Sequence, residues 1–310
     1  VRNDVTDELR DPAGHAKAQA EKLLERLKSF ADILYPKDAE EPILHPSVRS
    51  SLSEWLAETR SAKALKAVKV KPRNLALLHG YPGCGKTTFA HHFAARLGLP
   101  LANIRLESLQ SKWVNATGEN VGELFDILRK VGKHVVPFFD EIDGIGGTRE
   151  GASVSSQANA LHILLRRIEQ FDGVGLAATN RLDILDPALV RRFGMVIEIA
   201  LPRLEERFAI LKRYAEPFLP TDDDLLLLAE LTAFASPSLL RQLMEGVKRA
   251  VVLSENGIVK RDVATPFAPF AGVIGTLPVP LEMKDPPPLW ADVGALTQLE
   301  AFTWPMKRAA

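Results

Sequence analysis

The sequence predicts an α/β fold, a five-stranded parallel sheet covered by helices and followed by a small all-helical domain. Two observations carry that expectation. From residue 74 short apolar runs alternate with helical segments, as parallel strands joined by crossover helices do. From 203 to 256 the pattern turns purely helical.

Taken in order, residues 5–34 predict a helix, with Leu23, Leu27, Phe30 and Leu34 at four, three, four spacing and Pro36 and Pro42 ending it. A second amphipathic helix is expected over about 47–68, with Val48, Leu52, Trp55, Leu56, Leu65 and Val68 on its apolar side and a Ser cap directly after Pro46. Five buried strands are expected at 75–79, 101–106, 135–139, 174–179 and 196–200, with helices near 86–97, 120–130 and 155–171 between them. The later helices cover 203–216, 222–234 and 237–256. Seven of the 21 prolines fall between 266 and 288, which marks that region as a tail. The expected organisation is an N-terminal helical region and linker (1–72), an α/β domain (73–201), a helical lid (202–258) and a Pro-rich C-terminal tail (259–310).

Composition narrows the classes. In 310 residues, 39 Lys and Arg balance 39 Asp and Glu and 46% are hydrophobic, which argues against disorder and against nucleic-acid binding by bulk charge alone. One cysteine cannot form an internal disulfide, so a reducing, cytoplasmic setting is expected. The charged N-terminal stretch does not read as a signal peptide. Val263 to Leu281 carry no charge over 19 residues, about a membrane span, but Pro266, Pro269, Pro278 and Pro280 would break a spanning helix. That stretch reads as a linker or wrapping arm, with no membrane insertion.

The strongest motif is Gly80-Tyr81-Pro82-Gly83-Cys84-Gly85-Lys86-Thr87, which fits G-x-x-x-x-G-K-[ST] between a predicted strand and a predicted helix. Glycines let backbone N–H groups turn around phosphate oxygens, and the helix N-terminus adds a favourable dipole. Gly80 through Gly85, with Lys86, Thr87 and Thr88, are the expected nucleotide contacts. Lys86 would reach the β- and γ-phosphates of ATP, and the Thr87 hydroxyl would bind Mg²⁺. Asp140 and Glu141 follow an apolar strand 54 residues after Lys86. They stand at the C-terminal strand edge, where parallel sheets bind nucleotides. Asp140 would support the metal and Glu141 would act as general base toward the attacking water. Asn180 ends the next strand and could orient that water or contact the γ-phosphate; Asn is also an ordinary turn residue. Arg191 and Arg192 are either solvated surface charges or fingers that complete a neighbouring subunit's site.

In this order and spacing these elements resemble the AAA branch of the AAA+ P-loop ATPases, over about residues 43–256. Phe138-Phe139-Asp140-Glu141-Ile142-Asp143 resembles that family's Walker B, Ala178-Thr179-Asn180-Arg181 its sensor 1, and the run from Leu185 to Phe193 its arginine-finger segment. The stretch from Ser111 to Asn120 is similar to its first pore loop. The resemblance implies a P-loop NTPase fold of the ASCE type and a homo-hexameric ring that remodels or threads protein substrates, with Trp113 and Val114 lining the channel. An adaptor or protease partner is implied with it. There are departures: Tyr81 where Pro is frequent, Cys84 for Thr, Asn115 after the pore aromatic, and a loose match at Ser236-Pro237-Ser238. Arg241 could stand as a sensor-2 arginine.

The alternative is a DNA-directed AAA+ ATPase of the loader or initiator type. Residues 59–106 hold nine Lys or Arg and no acid, which suits either a nucleic-acid face or a solvated helix beside a nucleotide site. Adjacent His91 and His92 point different ways on a helix and make a poor metal pair. Leu289 to Leu296 resembles the linker that precedes many AAA modules.

Overall fold

Alternating apolar runs in the first two hundred residues become a single sheet. A computed structural model describes residues 21–106, 119–132, 134–145, 166–168, 170–185, 187–256, 258, 265–279, 285–303 and 307–308. It divides into two units. One comprises Val1–Pro42, Ser50–Gly80 and Lys86–Glu198; the other comprises Ile43–Arg49, Tyr81–Gly85 and Ile199–Ala310.

The elements of the first 198 residues are β1 (Ala31–Leu34), α1 (Pro46–Arg60), α2 (Ala62–Ala67), β2 (Leu75–His79), α3 (Lys86–Arg96), β3 (Leu101–Ile104), α4 (Glu119–Val131), β4 (Val136–Phe139), β5 (Gly175–Thr179), α5 (Pro187–Val190) and β6 (Met195–Glu198). The sheet order is β1-β3-β4-β5-β2-β6. The five expected strands are all parallel, and their central members are fully buried, as sheets covered on both faces require. Trp55 of α1 stacks on Phe93 of α3 at 3.9 Å between ring centroids, and its indole N–H donates to the Arg73 carbonyl at 2.7 Å. That pairing gives a large buried aromatic both its contact and its hydrogen-bond partner.

The expected helix over 5–34 needs correction. Residues 21–27 are helical, a turn follows, and Ala31–Leu34 becomes a sixth, antiparallel strand on the edge of the sheet. The reason is tertiary. Pairing with β3 from Ala31↔Ile104 to Leu34↔Leu101 satisfies the backbone, Phe30 stays buried beside the strand, and Asp32 accepts from Arg105 at 2.8 Å. The expected 47–68 helix is likewise two helices, broken at Ser61. The expected 155–171 helix lies mostly outside the described residues.

The second unit holds α6 (Leu204–Ala215), β7 (Phe218–Leu219), α7 (Asp222–Leu231), α8 (Pro237–Glu255), α9 (Phe267–Ile274), α10 (Pro288–Ala291), α11 (Val293–Thr297) and β8 (Lys307–Arg308). The region read as a tail or arm packs into its core: Phe270, Leu289, Ala295, Leu299 and Phe302 are buried with Leu225, Leu240 and Leu243. Three of its prolines sit at element starts, Pro266 before α9 and Pro287 and Pro288 opening α10, where a missing N–H costs little. Phe270 meets Phe302 edge to face at 5.6 Å, and β8 pairs antiparallel with β7. Among the described residues no helix is long and apolar enough to cross a membrane.

Candidate functional site

Sheet order decides which side chains meet. Strand β5 lies between β2 and β4, in register as His79↔Thr179 and Phe139↔Ala177. Parallel strands end on one edge, so the residues that follow them, Gly80, Asn180 and Asp140, emerge there side by side.

Lys86 and Thr87 open α3. Lys86 is 6% exposed, and its ammonium donates to the Gly80 carbonyl at 2.8 Å and to Asn180 Oδ1 at 2.6 Å. Thr87 Oγ1 donates to Asp140 Oδ2 at 2.8 Å, while Asp140 Oδ1 accepts from the Glu141 N–H at 3.0 Å. Asn180 Nδ2 donates to Glu141 Oε1 at 3.4 Å. Glu141 has φ of 52°, a left-handed conformation that a non-glycine residue adopts at a cost of about 1–2 kcal/mol. Its side chain is exposed while Asp140 is half-buried.

Two further groups bear on the electrostatics. His79 ends β2, and burial pushes its pKa down; Glu198 opposes that shift and Lys86 adds to it. The Asp143 Oδ1 atom is buried without a hydrogen-bond partner among the described residues.

The residues between Gly80 and Lys86 form the glycine turn. Gly80, Gly83 and Gly85 have φ of 147°, 75° and 93°, conformations that side chains rarely tolerate. Cys84 is buried and Tyr81 is 44% exposed. In the second unit Gly83 lies against the start of α8, where Ser238 N donates to its carbonyl at 3.2 Å. The loosely matching Ser236-Pro237-Ser238 segment is thus the N-terminus of α8, with the Ser236 hydroxyl accepting from Leu239 N at 3.3 Å.

This donor set fits a magnesium nucleotide. A hydroxyl and a carboxylate 2.8 Å apart are hard oxygen donors suited to Mg²⁺, and an ammonium at a helix N-terminus suits phosphate.

Of the expected residues, Lys86, Thr87, Asp140, Glu141 and Asn180 come together, with Thr88 half-buried on the same helix turn. Arg191 and Arg192 are exposed on the turn between α5 and β6. Arg241 pairs with Glu245 at 2.7 Å and lies 5.6 Å from the Tyr214 ring centroid, both within the second unit. Trp113 and Val114 lie outside the described residues. The left-handed Glu141 and the Gly83 contact with Ser238 had no sequence signal: the first belongs to the turn after β4 and has no residue signature, and the second joins segments far apart in the chain.

A phosphate loop and an acidic strand end held one strand apart are the architecture of a P-loop nucleoside triphosphatase with an inserted strand. Residues 76–201 match the model of the family described as "ATPase family associated with various cellular activities (AAA)". Over those residues the chain is similar to that family. It is 35% identical over 202 residues to a proteasome-activating nucleotidase of Pyrococcus furiosus, covering 60% of this chain and 51% of the relative. A proteasome-activating nucleotidase of Thermococcus onnurineus is 32% identical over 214 residues, or 64% and 54% of the two chains. The chain therefore spans about half the length of these relatives. The crystal structure of the FIGL-1 AAA domain superposes with a TM-score of 0.64 at 25% identity, covering 91% of this chain and 94% of that one.

Proposed function

We infer that this chain is an ATP-hydrolysing, Mg²⁺-dependent motor that remodels or threads protein substrates. One observation carries the chemistry: three neighbouring strand ends bring the Lys86 ammonium, the Asn180 amide and the Asp140–Glu141 carboxylate pair into one hydrogen-bonded set. In this reading Lys86 and the glycine turn bind phosphate, and Thr87 and Asp140 hold Mg²⁺, which supplies charge neutralisation at the phosphates when bound. Glu141 takes the proton of the attacking water, and Asn180 orients that water. Arg191 and Arg192, exposed on one turn, are suited to reach an adjacent subunit's site in a ring, for which we propose a homo-hexamer.

The nucleotidases named for activating a proteasome support a protein substrate and a protease partner, and they do not support the DNA-directed alternative. Trp113 and Val114 are proposed as the pore-loop pair that grips it. An adaptor is compatible with the N-terminal helices, and a cytoplasmic setting follows from the same reading. The test is the ATPase rate with and without unfolded protein, with single-stranded DNA as the comparison and Glu141→Gln as the control. Unfolded protein should stimulate turnover and DNA should not, while Glu141→Gln should bind ATP yet hydrolyse it at least about a hundredfold more slowly. Stimulation by DNA alone would overturn the substrate class, and wild-type turnover in Glu141→Gln would overturn the base assignment.

A further inference from the structure

Asn180 does something in this geometry that water orientation does not require. Its carbonyl oxygen accepts from Lys86 at 2.6 Å, a short charge-assisted contact, while its amide nitrogen donates to Glu141 at 3.4 Å. The two ends of one planar amide therefore hold the phosphate-binding cation and the general base together. Lys86 is a buried residue, so losing an acceptor there costs more than at a surface. A phosphate oxygen that approaches Lys86 competes with Asn180 Oδ1 for the same three protons of the ammonium.

We propose that Asn180 is a two-ended clamp: it holds Lys86 and Glu141 in one chain, and phosphate that captures Lys86 also releases the base. The clamp is a positioning role, and it rests on reading this edge as a phosphate site. It makes nucleotide binding and base release one event, so Glu141 is constrained until the lysine has a phosphate to hold. Because Glu141 accepts from Nδ2, it also fixes which end of the amide faces Lys86. Without that acceptor the amide is anchored at one end only and its hold on Lys86 weakens.

The experiment is calorimetric binding of ADP with Mg²⁺ to the full chain, which reads the lysine end without turnover and without a γ-phosphate contact. Asn180→Ala removes the competitor and should tighten ADP about threefold to tenfold, the worth of one such hydrogen bond. Asn180→Asp replaces it by a carboxylate that pairs with Lys86 and should weaken ADP by about tenfold. Opposite signs from two changes at one residue cannot come from general damage to the fold. Glu141→Ala should tighten ADP as well, and the Glu141→Ala/Asn180→Ala pair should bind no more tightly than Asn180→Ala alone, since both break one chain. Equal or weaker ADP binding by Asn180→Ala would overturn the clamp, as would additive effects in the pair. Absence of ADP binding by the wild-type chain would overturn the phosphate-site reading, and the clamp with it.

Discussion

Gly83 offers a measurement of how tightly the phosphate loop is built against α8. Its φ is 75°, and a methyl group added there would lie 2.8 Å from Ser238 Cβ and 3.0 Å from Ser236 Oγ. Gly83→Ala thus meets two penalties. The left-handed backbone costs about 1–2 kcal/mol for a residue with a Cβ. The overlap with Ser238 adds roughly 1–3 kcal/mol, because the contact is to a carbon fixed at a helix start rather than to the end of a flexible side chain. The sum, about 2–5 kcal/mol, corresponds to roughly 5–20 °C in thermal midpoint for a unit of this size. Differential scanning calorimetry measures it. Ser238→Gly removes the clashing carbon and should return the overlap portion, leaving the backbone portion. Ser238→Ala keeps that carbon and should return nothing. A Gly83→Ala protein melting within about 2 °C of wild type, or rescued equally by both Ser238 changes, would refute this account of the loop.

Two other expectations concern assembly and pH. The double Arg191→Ala/Arg192→Ala protein should bind ATP but hydrolyse little, and mixing it with Lys86→Ala protein should restore activity through interfaces that pair an intact pocket with intact arginines. No recovery, with subunit exchange shown by fluorescence energy transfer, would refute shared sites. Asp224 is buried; burial alone would raise its pKa, but hydrogen bonds from Thr221 and the Thr303 N–H outweigh burial and hold it below the usual carboxylate value. Its stabilisation is therefore complete above the unfolded carboxylate pKa, near pH 4, and is lost as pH falls through the lower folded value. Asp224→Asn should cost about 1–2 kcal/mol at pH 7 and narrow that gap at pH 2–3, read from urea midpoints; a gap independent of pH would refute the assignment.

What the sequence made legible was local. The phosphate loop, the acidic strand end and Asn180 each follow an apolar run, so their spacing alone places them at strand termini, and the structure brings Gly80, Lys86, Thr87, Asp140 and Asn180 together. Strand β1 was not legible. Leu23, Leu27, Phe30 and Leu34 keep helical spacing, yet the last of them pairs with Leu101, a partner whose sheet edge no local pattern reveals. The C-terminal region misled for a related reason. Its prolines read as breakers, whereas several of them occupy helix starts and the apolar residues between them pack beside α8. Glu141 was assigned by its neighbours, but its left-handed backbone is set by the turn after β4 and carries no residue signature.

Strand β5 brings these threads together. Two strands flanking a third stand about 10 Å apart, too far for the group after β2 to meet the group after β4 directly. Two devices span that gap. One is the first turn of α3, which lets Thr87 reach Asp140 at 2.8 Å. The other is the polar end of β5 itself, where Asn180 touches Lys86 on one side and Glu141 on the other. The strand that feeds it is Gly-Leu-Ala-Ala-Thr and wholly buried. Its last member also fixes the turn: Thr179 is fully buried and its hydroxyl accepts from the Arg181 N–H at 3.0 Å. An amide at the end of a strand this constrained is held in place by the sheet, and that is why a change as small as Asn180→Asp should be felt at both Lys86 and Glu141.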